Sequence, residues 1–210
     1  MAVRHRTVRD RTAPTGGRPA APELAPPLPD LEPIELPVAP AEVRALNAVQ
    51  RGVGQAPVVR AAHGMSLFGE HAAGWLLLGG LGALVDRRRR RDWLTATAGV
   101  AAAHGASVAV KRVVRRPRPA HRLVRVLVGT PSRLSFPSAH ATSTTAAAVL
   151  FGRLLGQRLV PVLVPPMALS RLVLGVHYPT DVAAGALLGA AVAAATPRAA
   201  RRITATRSPR

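Results

Sequence analysis

Five consecutive arginines, Arg87 to Arg91, with Asp86 and Asp92 at their ends, separate the apolar block "HAAGWLLLGGLGALV" (His71 to Val85) from a second, "WLTATAGVAAAHGASVAV" (Trp93 to Val110). So much charge cannot enter hydrocarbon, while blocks this rich in Leu, Ala, Val and Gly are built to leave water. The alternation recurs. An apolar segment opens at Pro137 and runs to about Leu155, a turn follows at Gly156 to Arg158, then an apolar run from Leu159 to Leu169, then "DVAAGALLGAAVAAAT" (Asp181 to Thr196). Apolar helices joined by basic connections imply an all-α fold, an integral-membrane helical bundle of about five to six core helices.

A net charge of +19 admits two partners, nucleic acid or an anionic membrane surface. Placement decides between them. The arginines cluster between apolar blocks rather than along a folded face, and an aromatic content of 3% leaves little to stack on bases. Membrane lipid is therefore the expected partner and nucleic acid is not. There are no cysteines, so a face outside the cytoplasm must be held by packing rather than disulfides.

Residues 1–40 are so rich in proline that neither helix nor sheet can run through them, and they read as a disordered tail. Residues 41–197 form the helical domain and 198–210 a basic C-terminal tail. Within the domain, Val43, Leu46 and Val49 share one side of a helical stretch that breaks near Gly52 to Pro57. Arg51 and Arg60 make that stretch a poor span and a better interfacial or bundle-edge helix. Glu70 and His71 precede the first strongly apolar block. An ionisable pair inside a span marks function by default, and a structural pair near the interface is the alternative.

The positive-inside rule puts the loop at Arg87 to Arg91 in the cytoplasm. By alternation Lys111 to Ser138 lie outside, Gly156 to Arg158 inside and Arg171 to Tyr178 outside. The outward loop nevertheless carries Arg112, Arg115, Arg116, Arg118, Arg122, Arg125 and Arg133. That excess needs a reason other than topology.

Three clusters on the outward side supply candidates. In "KRVVRRPRP", Lys111, Arg115 and Arg118 stand at i, i+4 and i+7, on one face if the helix persists to Pro117. In Pro137-Ser138-Ala139-His140, Ser138 is placed as an N-cap, which turns backbone N–H groups and the positive end of the helix dipole toward an anion. In "SRLVLGVHYPTD", His177 and Asp181 are four apart, a spacing that lets the carboxylate fix one imidazole nitrogen and leave the other free as a nucleophile.

Together these clusters resemble the three-part signature of the type-2 phosphatidic acid phosphatase superfamily: Lys111, six residues, Arg118-Pro119; Pro137-Ser138-Ala139-His140; and Ser170-Arg171, five residues, His177, three residues, Asp181. The superfamily includes membrane lipid-phosphate phosphatases, soluble acid phosphatases and vanadium haloperoxidases. The resemblance implies a phosphoric ester hydrolase, with the active site built from loops on one face. His177 would attack phosphorus to form a phosphohistidine, Asp181 would hold its ring, and His140 would protonate the leaving oxygen and then activate water. Lys111, Arg118, Arg171, Ser138 and the amide of Ala139 would hold the phosphoryl oxygens. No metal or other cofactor is required. Ala139 stands where the family usually has glycine, which matters only if that residue needs φ > 0.

Between His140 and Ser170 lie 29 residues that must enter and return, about 14 per limb or roughly 21 Å of helix. A hydrocarbon core is about 30 Å thick, so a site recessed below the outer headgroups is expected. The substrate class is a lipid-linked phosphate met at the outer face of the cell membrane. "LFGEHAAGW" with Pro-Ser-Ala-His is similar to enzymes proposed to dephosphorylate decaprenylphosphoryl-phosphoribose. Phosphatidic acid, phosphatidylglycerophosphate and undecaprenyl diphosphate are alternatives. A reading of a different class is a noncatalytic basic membrane protein that binds anionic lipid or nucleic acid.

Overall fold

The computed structural model describes residues 40–206. The expected disordered tail lies outside the described residues except for Pro40. Seven α-helices follow in order: α1 (Ala41–Val53), α2 (Ala56–Gly69), α3 (Ala73–Val85), α4 (Arg90–Val114), α5 (Ala139–Leu155), α6 (Val160–Val173) and α7 (Pro179–Thr206). Short 3-10 turns at Glu70–Ala72 and Arg87–Arg89 join α2 to α3 and α3 to α4. Because α2 and α3 form one kinked rod, Ala56–Val85, the bundle has six helical rods, with α1 at its edge. The backbone of α7 continues past Pro197, so it overlaps the segment read from the sequence as a separate tail.

The break between α1 and α2 falls where glycine and proline place it. Gly54 caps α1, and Pro57 occupies the first turn of α2, where a missing N–H costs no helical hydrogen bond. Among the described residues, helix α1 is outside the three helices long and apolar enough to cross a membrane, Ala56–Val85, Arg87–Val114 and Pro179–Pro197. It lies against α6 and α7, burying Val43 and Leu46 with Val124.

Runs of small residues line the central helix, while many large apolar side chains of the outer helices face outward. Helix α5 buries Thr142 to Ala148 without a break and packs against α4, α6 and α7. Leu77, Leu81 and Leu84 of α3, Leu94 of α4 and Leu187 of α7 are exposed. This distribution suits a bilayer, where lipid is as apolar as leucine and helices gain most from close approach. The 14 residues of α6 make a helix of about 21 Å, as the limb length predicts.

Helices α5 and α7 approach closely, and two glycines permit it. A Cβ at Gly189 would stand 2.3 Å from the carbonyl oxygen of Thr142, and one at Gly185 would stand 2.5 Å from that of Ser138. The same contact brings the start of α7 to the start of α5, where the Ser138 N–H donates to the Asp181 carbonyl at 2.9 Å. Gly185→Ala and Gly189→Ala must therefore push α7 off α5 and should destabilise by about 1–3 kcal/mol. Thermal unfolding in detergent checks this, with Gly80→Ala, where a Cβ meets nothing within 4 Å, expected to leave Tm unchanged or higher.

Candidate active site

The last turn of α4, the loop of residues 115–137, the start of α5, the end of α6 and the start of α7 gather at one end of the bundle. Lys111, Arg115 and Arg118 do not share a helical face as the spacing suggested. Helix α4 stops at Val114, and Arg115 takes a left-handed conformation, φ 55°, that turns the chain out of the helix. The chain then doubles back. Pro117 pairs with Leu134, the Ser135 N–H donates to the Arg116 carbonyl at 2.8 Å, and the Arg118 N–H donates to that of Arg133 at 3.3 Å. This folding leaves Arg115 exposed and turns Arg118 inward.

His177 and Asp181 are both buried, with Nδ1 of the imidazole 3.5 Å from Oδ2 of the carboxylate. That is an electrostatic contact, longer than a formed hydrogen bond. Asp181 is held independently: Oδ2 accepts from the Tyr178 N–H at 2.8 Å and Oδ1 from Nη1 of Arg116 at 2.9 Å. Arg116 also donates to the Thr180 hydroxyl, pairs with Glu42 at the start of α1, and lies 4.1 Å over the Tyr178 ring. Glu42 accepts from the Thr180 N–H and hydroxyl as well. Sequence reasoning passed over Arg116 and Glu42. Arg116 was visible only as one of an unexplained excess of arginines, and Glu42 lies 74 positions away on a helix that shows no chemistry of its own.

The other nitrogen of His177, Nε2, is 3.2 Å from Nη1 of Arg118. Burial holds the His177 imidazole well below its ordinary range; Asp181 opposes this, while the charges of Arg118 and Lys111 reinforce it. The ring is therefore neutral at pH 7, and a neutral imidazole has a lone pair to offer.

The cations are tethered to backbone carbonyls. Lys111 Nζ lies 2.7, 3.0 and 3.3 Å from the carbonyls of Pro137, Ser135 and Leu134. With three donors to give, it holds the loop before α5 and contributes its charge rather than free hydrogen bonds. Arg118 donates from Nε to the Ser132 carbonyl at 2.8 Å and from Nη1 to that of Val176 at 2.7 Å, and its Nη2 makes no protein hydrogen bond among the described residues. Arg171 donates to the hydroxyls of Ser170 and Ser66, both at 3.1 Å.

Ser66 belongs to α2, whose contribution the sequence did not reveal. Its carbonyl lies 3.0 Å from Nε2 of His140, and Gly69, one turn on, lets α2 pass against the same ring: a Cβ there would be 2.5 Å from Cδ2. Ser138 caps α5, its hydroxyl accepting from the Ala141 N–H at 3.5 Å, and is fully buried. Ala139 is the first residue of α5 and is not among the left-handed residues, which are His71, Ala72 and Arg115 among the described non-glycines. Alanine fits there without strain.

A cavity of about 450 Å³ opens onto this end, lined by Lys111, Arg118, Ala139, His140, Arg171 and His177 among others. Ser138 and Asp181 stand behind its wall. The lining suits an anion of phosphate size, presented with one neutral imidazole backed by a carboxylate and a second on α5.

Residues 92–205 match the family profile of the PAP2 superfamily. The chain belongs to the PAP2 superfamily. It is similar to decaprenylphosphoryl-5-phosphoribose phosphatase of Mycobacterium tuberculosis (strain ATCC 25618 / H37Rv), 58% identical over 154 residues, 73% of this chain and 87% of that protein. It is likewise similar to the enzyme of the same name from Mycolicibacterium smegmatis, 60% identical over 141 residues, 67% of this chain and 78% of that one. Among solved structures, a transmembrane PAP2-type phosphatidylglycerolphosphate phosphatase from Bacillus subtilis matches with a TM-score of 0.63 at 21% identity, over 79% of this chain and 89% of that one. At that identity the likeness speaks for the fold, a PAP2 membrane bundle.

For this PAP2 protein, the depressed basicity of His177 has a direct readout. A basic group whose folded value lies below its unfolded value stays neutral in the fold and resists protonation as pH falls. In nitrogen-15 histidine spectra of the detergent-solubilised protein, the signal lost in His177→Asn should stay neutral from pH 7 to pH 5. Titration near the ordinary 6.5 would contradict the environment described.

Proposed function

We propose that the protein is a metal-independent membrane phosphatase that hydrolyses a lipid-linked phosphate monoester, with a polyprenyl-linked phosphoribose as its substrate class. The observation that carries the reaction is the buried His177–Asp181 pair facing a cavity lined by Arg118, Arg171 and His140. The identity of 58–60% with decaprenylphosphoryl-5-phosphoribose phosphatases supports the substrate.

Nε2 of His177 forms a bond to phosphorus as the ester P–O bond breaks, and His140, carried into the step as the imidazolium beside the bound phosphate anion, gives a proton to the departing oxygen and is left neutral. A phosphohistidine remains. His140 then takes a proton from water, which attacks phosphorus; the P–N bond breaks and inorganic phosphate leaves. Asp181 stabilises the positive charge that His177 gains. Arg118, Arg171 and the N-terminal amides of α5 hold the equatorial oxygens, which is most of what phosphoryl transfer asks of a protein. Lys111 acts by anchoring the Leu134–Pro137 loop and by its charge.

The active site faces the extracytoplasmic side. Helix α4 has the arginine turn Arg87–Arg89 at its start and Lys111 in its last turn, about 33 Å of helix apart, which supports opposite sides of a bilayer for the two.

Purified protein in EDTA should release phosphate from a polyprenylphosphoryl-phosphoribose, and His177→Ala should lower kcat by about 10³-fold or more. Arg171→Ala, which removes one donor set, should cost about 10²–10³-fold. A panel including phosphatidic acid and phosphatidylglycerophosphate, ranked by kcat/KM, tests the substrate. Equal silence of wild type and His177→Ala on every lipid phosphate, with anionic-lipid binding intact, would establish the noncatalytic reading instead.

A further inference from the structure

Beyond the phosphate cradle the same cavity has a second wall that the proposed chemistry does not use: Glu70, His71 and His104. It lies where α2 gives way to α3. The chain there takes two consecutive left-handed residues without glycine, His71 at φ 49° and Ala72 at φ 60°. Such residues cost of order 1–3 kcal/mol each and persist where the surroundings or a function demand them. The turn sets Glu70 against the cavity instead of letting α2 run straight into α3.

Glu70 faces a cavity that also exposes Lys111, Arg112, Arg118 and Arg171, yet it forms no ion pair with any of them. Among the described residues its charged partner is Nδ1 of His71 at 3.5 Å, and its side chain keeps 37% of its exposure. Its charge is nevertheless felt at Arg118, which burial lowers and which Asp181 and Glu70 raise. A carboxylate has no donor for a phosphoryl oxygen, so it does not hold the phosphoryl group. It can only accept hydrogen bonds, and its complement is a neutral group with donors. Beside it, the ring of His104 lies 6.2 Å from that of His71, and its Nδ1 is buried without a hydrogen-bond partner.

We propose that Glu70, with His104 beside it, forms a subsite for the vicinal hydroxyls of the ribose that carries the scissile phosphate. This rests on the polyprenyl-phosphoribose reading. With the 5-oxygen phosphorylated and the anomeric carbon attached to the lipid phosphoryl group, the 2- and 3-hydroxyls are the donors a ribose has left, and one carboxylate can accept from both. A polyprenyl monophosphate or phosphatidic acid offers no such pair. Glu70 is thus a specificity residue: it favours a sugar between phosphate and lipid and contributes nothing to a substrate without one.

The test crosses a change in the enzyme with a change in the substrate. Full-length wild type, Glu70→Ala and Glu70→Gln are assayed on a polyprenylphosphoryl-5-phosphoribose, on its 2-deoxyribose analogue and on a polyprenyl monophosphate. Glu70→Ala should lower kcat/KM on the ribose substrate about 10- to 100-fold, the loss expected for a charged hydrogen bond, with Glu70→Gln between it and wild type. The 2-deoxy analogue should be poorer than the ribose substrate for wild type and nearly equal to it for Glu70→Ala. The monophosphate should be cleaved at a similar rate by all three, which also shows that the variants fold. An equal loss on every substrate, no loss on the ribose substrate, or additive effects of the two changes would overturn the subsite while leaving the phosphatase intact. If wild type cleaves the monophosphate but no ribosylated substrate, the substrate reading falls and the subsite with it.

Discussion

A buried carboxylate must be paired, and at Asp181 that requirement organises one end of the molecule. Its side chain accepts from Arg116 and from the Tyr178 N–H and faces His177, while its backbone carbonyl accepts from Ser138. These partners come from three parts of the chain. Arg116 brings the loop after α4, Ser138 the start of α5, and His177 the turn before α7. Arg116, half-buried and charged in its turn, draws in Glu42 and so pins α1, the helix outside the candidate spans, to the start of α7. One unsolvated charge therefore joins four elements.

The bundle makes this possible by inverting the soluble pattern. Its centre is α5, with its continuous buried run of Thr, Ser and Ala, and leucines of α3, α4 and α7 point outward. Small residues let backbones approach, and the two glycines of α7 bring a polar turn to the N-terminus of α5, not merely one helix to another. The small α5–α6 hairpin has a further effect. With α6 only about 21 Å long, the hairpin keeps Arg171 and its neighbours packed among helices, where charges act through less water and the arginines donate to carbonyls.

Those carbonyl bonds matter to the proposed reaction. Arg118, Arg171 and Lys111 are held in place before any substrate arrives, so little reorganisation is needed when charge moves on phosphorus. Helix α2 takes part through Ser66, which contacts both Arg171 and His140. The proposed phosphate cradle thus includes α2, whose kink also displays the carboxylate we propose for the sugar.

Much of this could be read from residue order. The alternation of arginine clusters and apolar blocks implied the helices, the Gly52–Pro57 break and the short hairpin. The spacing of Lys111, Arg118, Ser138, His140, Arg171, His177 and Asp181 carried the family, because those distances along the chain are local and set by turns and caps. What the spacing could not give was the path of the chain between clusters. A helical face through Lys111, Arg115 and Arg118 was a fair reading of the intervals, and Arg115 ends it by turning left-handed at the last turn of α4. Likewise Glu42, Arg116, Ser66 and Gly69 look ordinary in sequence. They matter because burial forces distant polar groups to find one another, and which ones meet is decided by how the helices pack. The sequence by itself determined the elements and the chemistry at their ends; only the tertiary structure decided which charges share a buried space, since pairing across 74 or more positions depends on packing and leaves no local pattern.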